Sequence, residues 1–298
     1  MRIYHKLLSP ITKMLKEAYK NHYAIGHFNI NNLEWTKILI ETAQKTRTPI
    51  ILGASEGAIR YMGGYKNVVA IVNNLLEFYQ VDIPIALHLD HGQSVAAAKK
   101  AIDAGFSSVM YDGSSLNFQE NYANTKIVLE YAKKHKVSVE AEVGAIGGEE
   151  DDVINMGVFA NLNNAIKMGN LGIAVLAAGI GNIHGKYPKN WPGLNFNLLF
   201  NINRAILKPL VLHGGSGIPT MQIEKAIKIG ICKINVNTEC QVSFSNNLKK
   251  YYKLHLDMKH KGYDPRIILK YASNGIKDVF IHLTKLFNSY NKAKKVHE

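Results

Sequence analysis

Three of the twelve histidines lie where an apolar strand segment ends and directly precede a glycine: His91, His184 and His213. Imidazole nitrogen is a usual zinc ligand, and catalytic zinc sites keep three protein ligands with the fourth position open. Any one of these histidines alone would more often be structural. Three of them, with acidic residues in the neighbouring segments, predict a metal centre. His27 and His88 lie within apolar runs, where a hydrogen-bonded histidine in the protein interior is the simpler interpretation.

Acidic residues occupy similar places along the chain. Asp90 directly precedes His91, and Asp112 and Glu142 stand at the ends of two other apolar runs. The segment 147–152 reads Gly-Gly-Glu-Glu-Asp-Asp. A glycine pair before a run of acids is typical of a mobile lid that carries a carboxylate into a closing site. It is equally typical of a solvated acidic turn, and the spacing does not decide between the two.

Two polar segments follow the last apolar runs, His-Gly-Gly-Ser-Gly at 213–217 and Asn-Val-Asn-Thr at 235–238. In α/β barrels the loops after strands seven and eight usually bind phosphate through backbone N–H groups and a helix N-terminus. Glycine lets the backbone approach an anion closely. The same residues also make ordinary turns, but their place in the chain predicts a phosphate site.

These residues need elements that carry them to one place, and the chain alternates short apolar runs with longer amphipathic ones. The apolar runs predict strands at 23–30, 49–54, 83–88, 107–111, 137–142, 172–177, 209–213 and 232–236. The amphipathic runs predict helices at 33–45, 67–80, 95–104, 118–134, 161–168, 196–206, 218–229, 238–253 and 265–288.

Eight strands that each lead into a helix predict an α/β fold of the (β/α)8 TIM-barrel type, with extra helices at the N- and C-termini. In such barrels the working residues lie at the C-terminal ends of the strands. No Gly-x-Gly-x-x-Gly follows the first strand, which argues against a dinucleotide-binding doubly wound sheet. Because no linker divides the chain, we predict a single barrel domain over residues 1–298.

Composition restricts the class of protein further. The chain has 298 residues, with 36 basic and 23 acidic side chains, and a formal charge of +13. The lysines are scattered and lack the interleaved aromatics of a nucleic-acid groove, so we interpret them as solvated surface. Two cysteines exclude a disulfide scaffold and suit a reducing cytosol. The N-terminal segment predicts a Lys-rich helix rather than a signal peptide, and no apolar run is long enough to span a membrane. We expect a soluble cytoplasmic protein with no nucleic-acid or membrane partner.

Six motifs, in order, resemble those of the class II metal-dependent aldolases. They are H-L-D-H-G at 88–92, V-E-A-E-V-G at 139–144, G-G-E-E-D-D at 147–152, I-H-G at 183–185, L-H-G-G-S-G-I-P at 212–219 and K-I-N-V-N-T-E at 233–239. Shorter matches at 28–32, 55–57 and 263–266 extend the resemblance over most of the chain. Within that class the chain is most similar to the shorter bacterial fructose-1,6-bisphosphate aldolases. Tagatose-1,6-bisphosphate aldolases share the metal motifs, so that activity is the alternative.

The resemblance implies reversible cleavage of fructose 1,6-bisphosphate to dihydroxyacetone phosphate and glyceraldehyde 3-phosphate, a reaction of glycolysis and gluconeogenesis, through a Zn²⁺-stabilised enediolate. It implies that His91, His184 and His213 bind the zinc. It assigns Asp112 and Glu142 to a second divalent metal position, and a monovalent cation is a further candidate cofactor.

The resemblance also assigns the residues that handle protons and substrate. Asp90 would exchange a proton with the C4 hydroxyl or the aldehyde oxygen. Glu150, on the lid, would move the proton at the carbon that forms the new bond. Arg266 would reach the substrate from a neighbouring subunit of a homodimer or homotetramer. The other implied substrate contacts are Asn29, Ser55, Gly185, Gly214, Gly215, Ser216, Asn235, Val236, Asn237 and Thr238.

Two hypotheses of other classes are open at this stage. A Schiff-base aldolase would use a desolvated lysine as its nucleophile, and Lys233 is the candidate, although a lysine there more often packs or pairs at the barrel rim. A basic nucleic-acid-binding protein would bind DNA or RNA with a steep dependence on salt. A chelator separates the first hypothesis from a zinc enzyme, and filter binding at moderate salt tests the second.

Overall fold

A computed structural model describes residues 8–150 and 153–295, with side chains for all of these except 149, 150 and 153–155. Its centre is a closed barrel of eight parallel strands, and this confirms the predicted TIM-barrel fold. Every predicted strand overlaps one barrel strand. The barrel strands, in their order around the barrel, are β1 (Ile25–Asn29), β11 (Ile231–Val236), β10 (Leu210–Leu212), β8 (Val175–Ala178), β5 (Ser138–Val143), β4 (Ser108–Tyr111), β3 (Ile85–Gly92) and β2 (Ile50–Ser55).

Helices surround the barrel and also extend beyond it. They are α1 (Ile11–Lys20), α2 (Leu33–Lys45), α3 (Glu56–Tyr61), α4 (Tyr65–Phe78), α5 (Val95–Ala104), α6 (Phe118–His135), α7 (Leu162–Gly169), α8 (Phe196–Ile206), α9 (Thr220–Ile229), α10 (Thr238–Lys253) and α11 (Pro265–Leu286), with a 3₁₀ turn at Leu256–Met258. Asparagine begins four of them by accepting a backbone N–H in the first turn. Pro219 directly precedes α9, so this helix begins two residues later than predicted.

The lower half of the barrel interior is apolar and is closed by α1. Ile11, Leu15 and Ala18 are fully buried there, against inward-facing strand residues such as Ile51 and Met110. The lysines of α1 lie on its exposed side. The predicted Lys-rich N-terminal helix thus closes the bottom of the barrel with its apolar face, as a plug. The larger apolar core lies between the strands and the surrounding helices. Both faces of the sheet are thus covered, as the continuous apolar strands require.

A small second sheet lies above the barrel mouth and was not predicted. Strands β6 (Gly147–Glu150) and β7 (Val153–Asn155) are antiparallel, and β6 also pairs in parallel with the short β9 (Ile183–His184). The acidic segment predicted as lid or turn therefore belongs, over its described residues, to a hairpin attached to a histidine-bearing strand. Residues 151 and 152 lie outside the described part. No helix within 8–150 and 153–295 combines the length and hydropathy needed to cross a bilayer.

Candidate active site

The upper half of the barrel interior is polar, in contrast to its floor. Side chains two apart on a strand share a face, so four strands each send a pair of polar side chains inward. Gly53 provides space for one of them, because a Cβ at Gly53 would overlap the His27 ring. All eight side chains are buried, and they are His27 and Asn29 of β1, His88 and Asp90 of β3, Glu140 and Glu142 of β5, and Lys233 and Asn235 of β11.

The three predicted histidines converge at the C-terminal mouth of the barrel. Their ring centroids lie 4.6 Å apart for His91 and His213, 5.0 Å for His91 and His184, and 5.8 Å for His184 and His213. One nitrogen from each ring lies within 4.8 Å of the others. Residues separated by more than 120 positions in the chain thus meet around one point, as the spacing predicted.

His91 reaches this point because the backbone leaves regular strand geometry. Its φ of 47° is in the left-handed region, which is uncommon for a non-glycine residue. The register between β3 and β4 shifts between Leu89 and Gly92, as in a β-bulge. Two consecutive residues of a regular strand would point to opposite faces, but here both Asp90 and His91 take part in the same site. The backbone therefore adopts an uncommon conformation at a residue predicted to be functional.

Carboxylates hold the outer nitrogens of two of the rings. His91 Nδ1 lies 2.6 Å from Asp112 Oδ2, and His213 Nε2 lies 2.8 Å from Glu140 Oε1. An ionised carboxylate only accepts hydrogen bonds, so these two ring nitrogens carry the protons. The facing atoms, His91 Nε2 and His213 Nδ1, are 2.9 Å apart and both direct lone pairs toward the centre. A proton or a metal cation would bridge these two nitrogens, and Asn235 Nδ2 approaches His213 Nδ1 at 3.1 Å as well, so the donor set fits a divalent metal such as zinc.

The electrostatics agree with this fit. Burial lowers the pKa of His91, but the Asp112 hydrogen bond and the nearby charge of Asp90 outweigh it and raise the pKa to about 10. Burial and the neighbouring His91 and Lys233 charges hold the pKa of His213 well below its ordinary value. Burial raises the pKa of Asp112, but the hydrogen bond to His91 more than offsets this, and the net shift is downward. The site therefore favours one positive charge among its rings.

Glu142 lies beside this centre with spare binding capacity. Its Oε1 accepts a hydrogen bond from the Ile146 backbone N–H at 3.2 Å, while its buried Oε2 has no hydrogen-bond partner among the described residues. Burial and the Asp112 charge raise the pKa of Glu142 well above its ordinary value. Oxygens of Glu142 and Asp112 lie within 4.8 Å of a His91 nitrogen, so these three residues could hold a second cation.

Asp90 is buried beside the histidines and held by two amides. Asn29 Nδ2 donates to Oδ2 at 2.9 Å, and Asn235 Nδ2 donates to Oδ1 at 3.2 Å. His27 and His91, with Lys233, overcome the burial that would raise the pKa of Asp90, which lies well below its ordinary value. The carboxylate is therefore ionised, oriented and close to the centre.

A narrow pocket above these residues collects most of the predicted substrate contacts. Helix α10 begins at its edge, and the side chain of Asn237 makes no capping hydrogen bond to the first turn. The Glu239 N–H in that turn donates to Ser216 Oγ at 3.3 Å, so the loop after β10 meets the start of α10, and a helix N-terminus is a place where an anion can bind. A Cβ at Gly214 would overlap the Ile183 carbonyl, so the loop after β10 packs closely on the histidine-bearing β9. The pocket is lined by Asn29, Asp90, His184, Gly185, Gly214, Ser216, Asn235, Asn237 and Thr238.

Four predicted substrate contacts do not line this pocket: Ser55, Gly215, Val236 and Arg266. Ser55 Oγ accepts a hydrogen bond from the Ala58 backbone N–H and begins α3. Val236 is a fully buried core residue, so only its backbone could meet substrate. Arg266 lies at the start of α11, its side chain 89% exposed and paired with Asp264, away from the pocket. The backbone of Glu150 ends β6, and its side chain lies outside the described part of the chain.

The structure also settles the interior histidines and the lysine alternative. His88 Nδ1 is 2.8 Å from Ser108 Oγ, as expected for a hydrogen-bonded interior residue. His27 faces inward as well, but neither ring nitrogen has a hydrogen-bond partner among the described residues. Lys233 lies inside the barrel and not at its rim. It is fully buried and paired with a carboxylate, which is the opposite of the unpaired, neutral amine that Schiff-base chemistry needs.

The sequence analysis did not identify two residues, Asn182 and Tyr187, that hold the backbone next to the predicted metal ligands through hydrogen bonds. Asn182 Nδ2 donates to the His213 carbonyl at 3.0 Å, and its Oδ1 accepts the Ile180 N–H. Tyr187 donates to the Gly214 carbonyl at 2.8 Å. The place of Asn182 two residues before His184 was a usable signal. Nothing in the local sequence marked Tyr187, because the carbonyl that it holds, that of Gly214, comes from another segment.

Comparison with known proteins gives consistent relatives. The family model described as fructose-bisphosphate aldolase class-II matches residues 9–292. The fructose-bisphosphate aldolase of Ureaplasma parvum is 52% identical, over 96% of this chain and the whole of that protein. That of Mycoplasma pneumoniae is 48% identical with the same coverage. The crystal structure of the YdjI aldolase from Escherichia coli K12 superimposes with a TM-score of 0.81 at 27% identity, over 96% of this chain and all of that one.

Proposed function

The chain belongs to the class II fructose-bisphosphate aldolase family, and on that premise we propose that it cleaves fructose 1,6-bisphosphate reversibly into dihydroxyacetone phosphate and glyceraldehyde 3-phosphate. It is a lyase that acts on a phosphorylated sugar. The observation that carries the proposal is the meeting of three imidazoles next to a buried carboxylate at the mouth of the barrel. Breaking a carbon–carbon bond beside a ketone needs a group that stabilises negative charge and a group that moves a proton.

The class II family is zinc-dependent, and the donor set described above fits such a metal. We assign His91, His184 and His213 as the ligands, and Asp112 with Glu142 to a second divalent position. When bound, the metal supplies Lewis-acid chemistry, which polarises the ketone and stabilises the charge left by bond cleavage. A monovalent cation stays a prediction, since no described group of residues marks a place for it.

Asp90 is the proposed proton carrier for the sugar hydroxyl. In cleavage it takes the proton of the C4 hydroxyl, and in condensation it returns that proton to the aldehyde oxygen. The amides of Asn29 and Asn235 fix both of its oxygens, so the carboxylate does not have to be ordered when substrate binds. Its position directly before His91 places it beside the metal ligands.

Glu150 is the proposed base for the carbon that forms the new bond. Its strand, β6, pairs with β9 at Gly147 and Ile183 and at Gly148 and His184. A hairpin attached to the strand of a metal ligand supports the lid interpretation over that of a detached acidic turn. Closing the hairpin over the mouth would exclude water while the proton moves.

The phosphate of the dihydroxyacetone phosphate half is proposed to bind at the loops after β9, β10 and β11. The pocket is lined there by Gly185, Gly214, Ser216, Asn235, Asn237 and Thr238, and the N-terminus of α10 lies at its edge. Gly215 and Val236, which lie between these residues in the chain, could contribute only backbone contacts. We assign the second phosphate to Ser55 and Arg266. Because Arg266 lies away from its own pocket, this assignment needs the arginine of a second copy, in a homodimer or homotetramer.

We further propose that residues 1–298 act as one domain in the cytoplasm. The α1 plug and the packing of α10 and α11 on the barrel tie both ends of the chain to a single core. Two buried free cysteines, Cys232 and Cys240, suit a reducing compartment.

The deciding experiment measures bound metal and cleavage of fructose and tagatose bisphosphates side by side. Dialysis against a chelator should abolish cleavage, and Zn²⁺ should restore it. His184→Ala should lose metal and activity together, while His135→Ala, an exposed histidine at the end of α6, should lose neither. Activity that survives complete metal removal would contradict the proposal. Faster cleavage of the tagatose substrate would retain the mechanism and change the sugar.

A further inference from the structure

Beneath the three histidines lies an ion pair that the proposed reaction does not use. Lys233 and Glu140 are both fully buried, and Lys233 Nζ lies 2.9 Å from Glu140 Oε2 and 3.2 Å from Oε1. Desolvating two charges is costly, and replacing such a pair by apolar residues of similar volume is often neutral or stabilising. Stability therefore does not by itself explain why charges occupy this place.

Each member of the pair is bonded to a residue of the site. Glu140 Oε1 lies 2.8 Å from His213 Nε2. Lys233 donates to Asn235 Oδ1 at 2.8 Å, which leaves the Asn235 amide N–H groups directed at Asp90 Oδ1 and at His213 Nδ1, at 3.2 and 3.1 Å. One lysine thus orients the side chain that touches both the proton carrier and a metal ligand.

We propose that the Lys233–Glu140 pair is a positioning device that selects the His213 tautomer and ring orientation required for metal binding. Glu140 can only accept a hydrogen bond, so His213 carries its proton on Nε2 and keeps the Nδ1 lone pair toward His91 Nε2, 2.9 Å away. Lys233 Nζ lies within 3.2 Å of both Glu140 oxygens and so fixes the place of the carboxylate against His213. Both residues act through His213 and Asn235, and neither needs to touch the substrate. The inference rests on the proposed metal centre.

The competing interpretation is that the pair only supports the barrel. Single substitutions cannot separate the two, because removing one charge leaves the other buried and unpaired. Two double variants can: Glu140→Gln with Lys233→Met, and Glu140→Leu with Lys233→Met. Both are uncharged at the pair and similar in volume, but only glutamine offers His213 Nε2 an acceptor. The glutamine variant is therefore the matched control for the leucine variant.

The experiment measures Zn²⁺ affinity of the metal-free proteins by chelator competition, with the His213 tautomer read from long-range ¹H–¹⁵N spectra of histidine-labelled protein. Thermal unfolding checks that the two variants are comparably folded. Loss of a partner that orients a metal ligand typically costs 10–100-fold in metal affinity. We expect the leucine variant to bind Zn²⁺ about 10–100-fold more weakly than the glutamine variant and to lose the uniform Nε2–H tautomer.

Equal Zn²⁺ affinities and tautomers in the two double variants would overturn the inference and leave the metal centre intact. The wild-type protein and His213→Ala test the centre itself. The wild-type protein should bind Zn²⁺, and His213→Ala should lose that binding. If the two proteins bound Zn²⁺ equally, or if neither bound it, the proposed metal centre would be refuted, and the positioning role would be refuted with it. Should the leucine variant alone fail to fold, Glu140→Met with Lys233→Met takes its place, because methionine has a similar volume and offers His213 Nε2 only a weak acceptor. The same two outcomes then support or overturn the inference.

Discussion

Replacing Asp90 by asparagine should separate proton transfer from metal binding. The wild-type carboxylate accepts Asn29 Nδ2 at 2.9 Å and Asn235 Nδ2 at 3.2 Å, and its side chain is 2% exposed. An asparagine keeps one acceptor but presents an NH₂ group to one of these donors. Asn235 cannot turn its amide over, since Lys233 holds its oxygen, so Asn29 must turn or lose its bond.

The expected stability loss follows from this count. One buried amide left without a partner costs about 1–3 kcal/mol. Asp90→Ala leaves both amides without an acceptor, so its loss should be roughly twice as large. The asparagine variant is the more informative of the two, because it stays folded and keeps the volume of the side chain.

The expected fall in kcat of Asp90→Asn is much larger than its small loss of folding stability would cause. General acid–base catalysis typically contributes about 10²–10⁴-fold, so kcat of Asp90→Asn should fall by that factor. Bound zinc should remain at the wild-type level, because Asp90 is not among the three imidazole ligands. The measurements are cleavage of fructose 1,6-bisphosphate in a coupled assay, metal content, and unfolding temperature.

A folded Asp90→Asn protein with full metal and a kcat within about tenfold of wild type would refute the proton-carrier role. Loss of zinc in this variant would also refute the proton-carrier role, because that result would show that Asp90 is needed for metal binding itself.

Further predictions concern the hairpin and the charge of the centre. Glu150→Ala should keep metal and substrate binding but lose proton exchange at the dihydroxyacetone phosphate carbon, measured by exchange from labelled solvent; near-normal turnover would exclude the lid role. Gly148→Ala should lower kcat several-fold, because the added Cβ would overlap the His184 carbonyl, whereas Gly172→Ala, with a similar positive φ and open surroundings, should show only the backbone strain. Metal-free protein should lose stability as pH rises from about 6.5 toward 10, since the folded pKa of His91 is raised to about 10 and the folded state holds that proton longer than the unfolded state. Asp112→Asn should flatten this slope in thermal unfolding measured against pH, and an unchanged slope would contradict the assigned cause.

Much of the site was predictable because its signals are local. Apolar runs that end in histidine or acid marked the C-terminal ends of the strands, and the helices at 33–45, 95–104, 196–206 and 238–253 were predicted with the bounds that the structure has. The strand count predicted the barrel, and barrel geometry places all strand ends at one mouth. The convergence of His91, His184 and His213 was predicted in this way, and their role as metal ligands stays a proposal.

Other features depend on contacts that no local pattern encodes. The role of α1 as a barrel plug and the pairing of β6 with β9 arise only when distant segments meet. The left-handed backbone at His91 could not be predicted either, because the presence of a histidine does not indicate a positive φ. Arg266 was placed in the site by resemblance, and the fold of a single chain leaves it outside the pocket.

The amino-acid sequence determined which side chains face inward and where along each strand the polar ones begin, because alternation and burial are properties of a single strand. Only barrel closure decided which of them meet. Glu140 lies on β5, Lys233 lies on β11, and His213 directly follows β10. Their contact depends on the stagger between these strands, which is set by packing across the whole barrel.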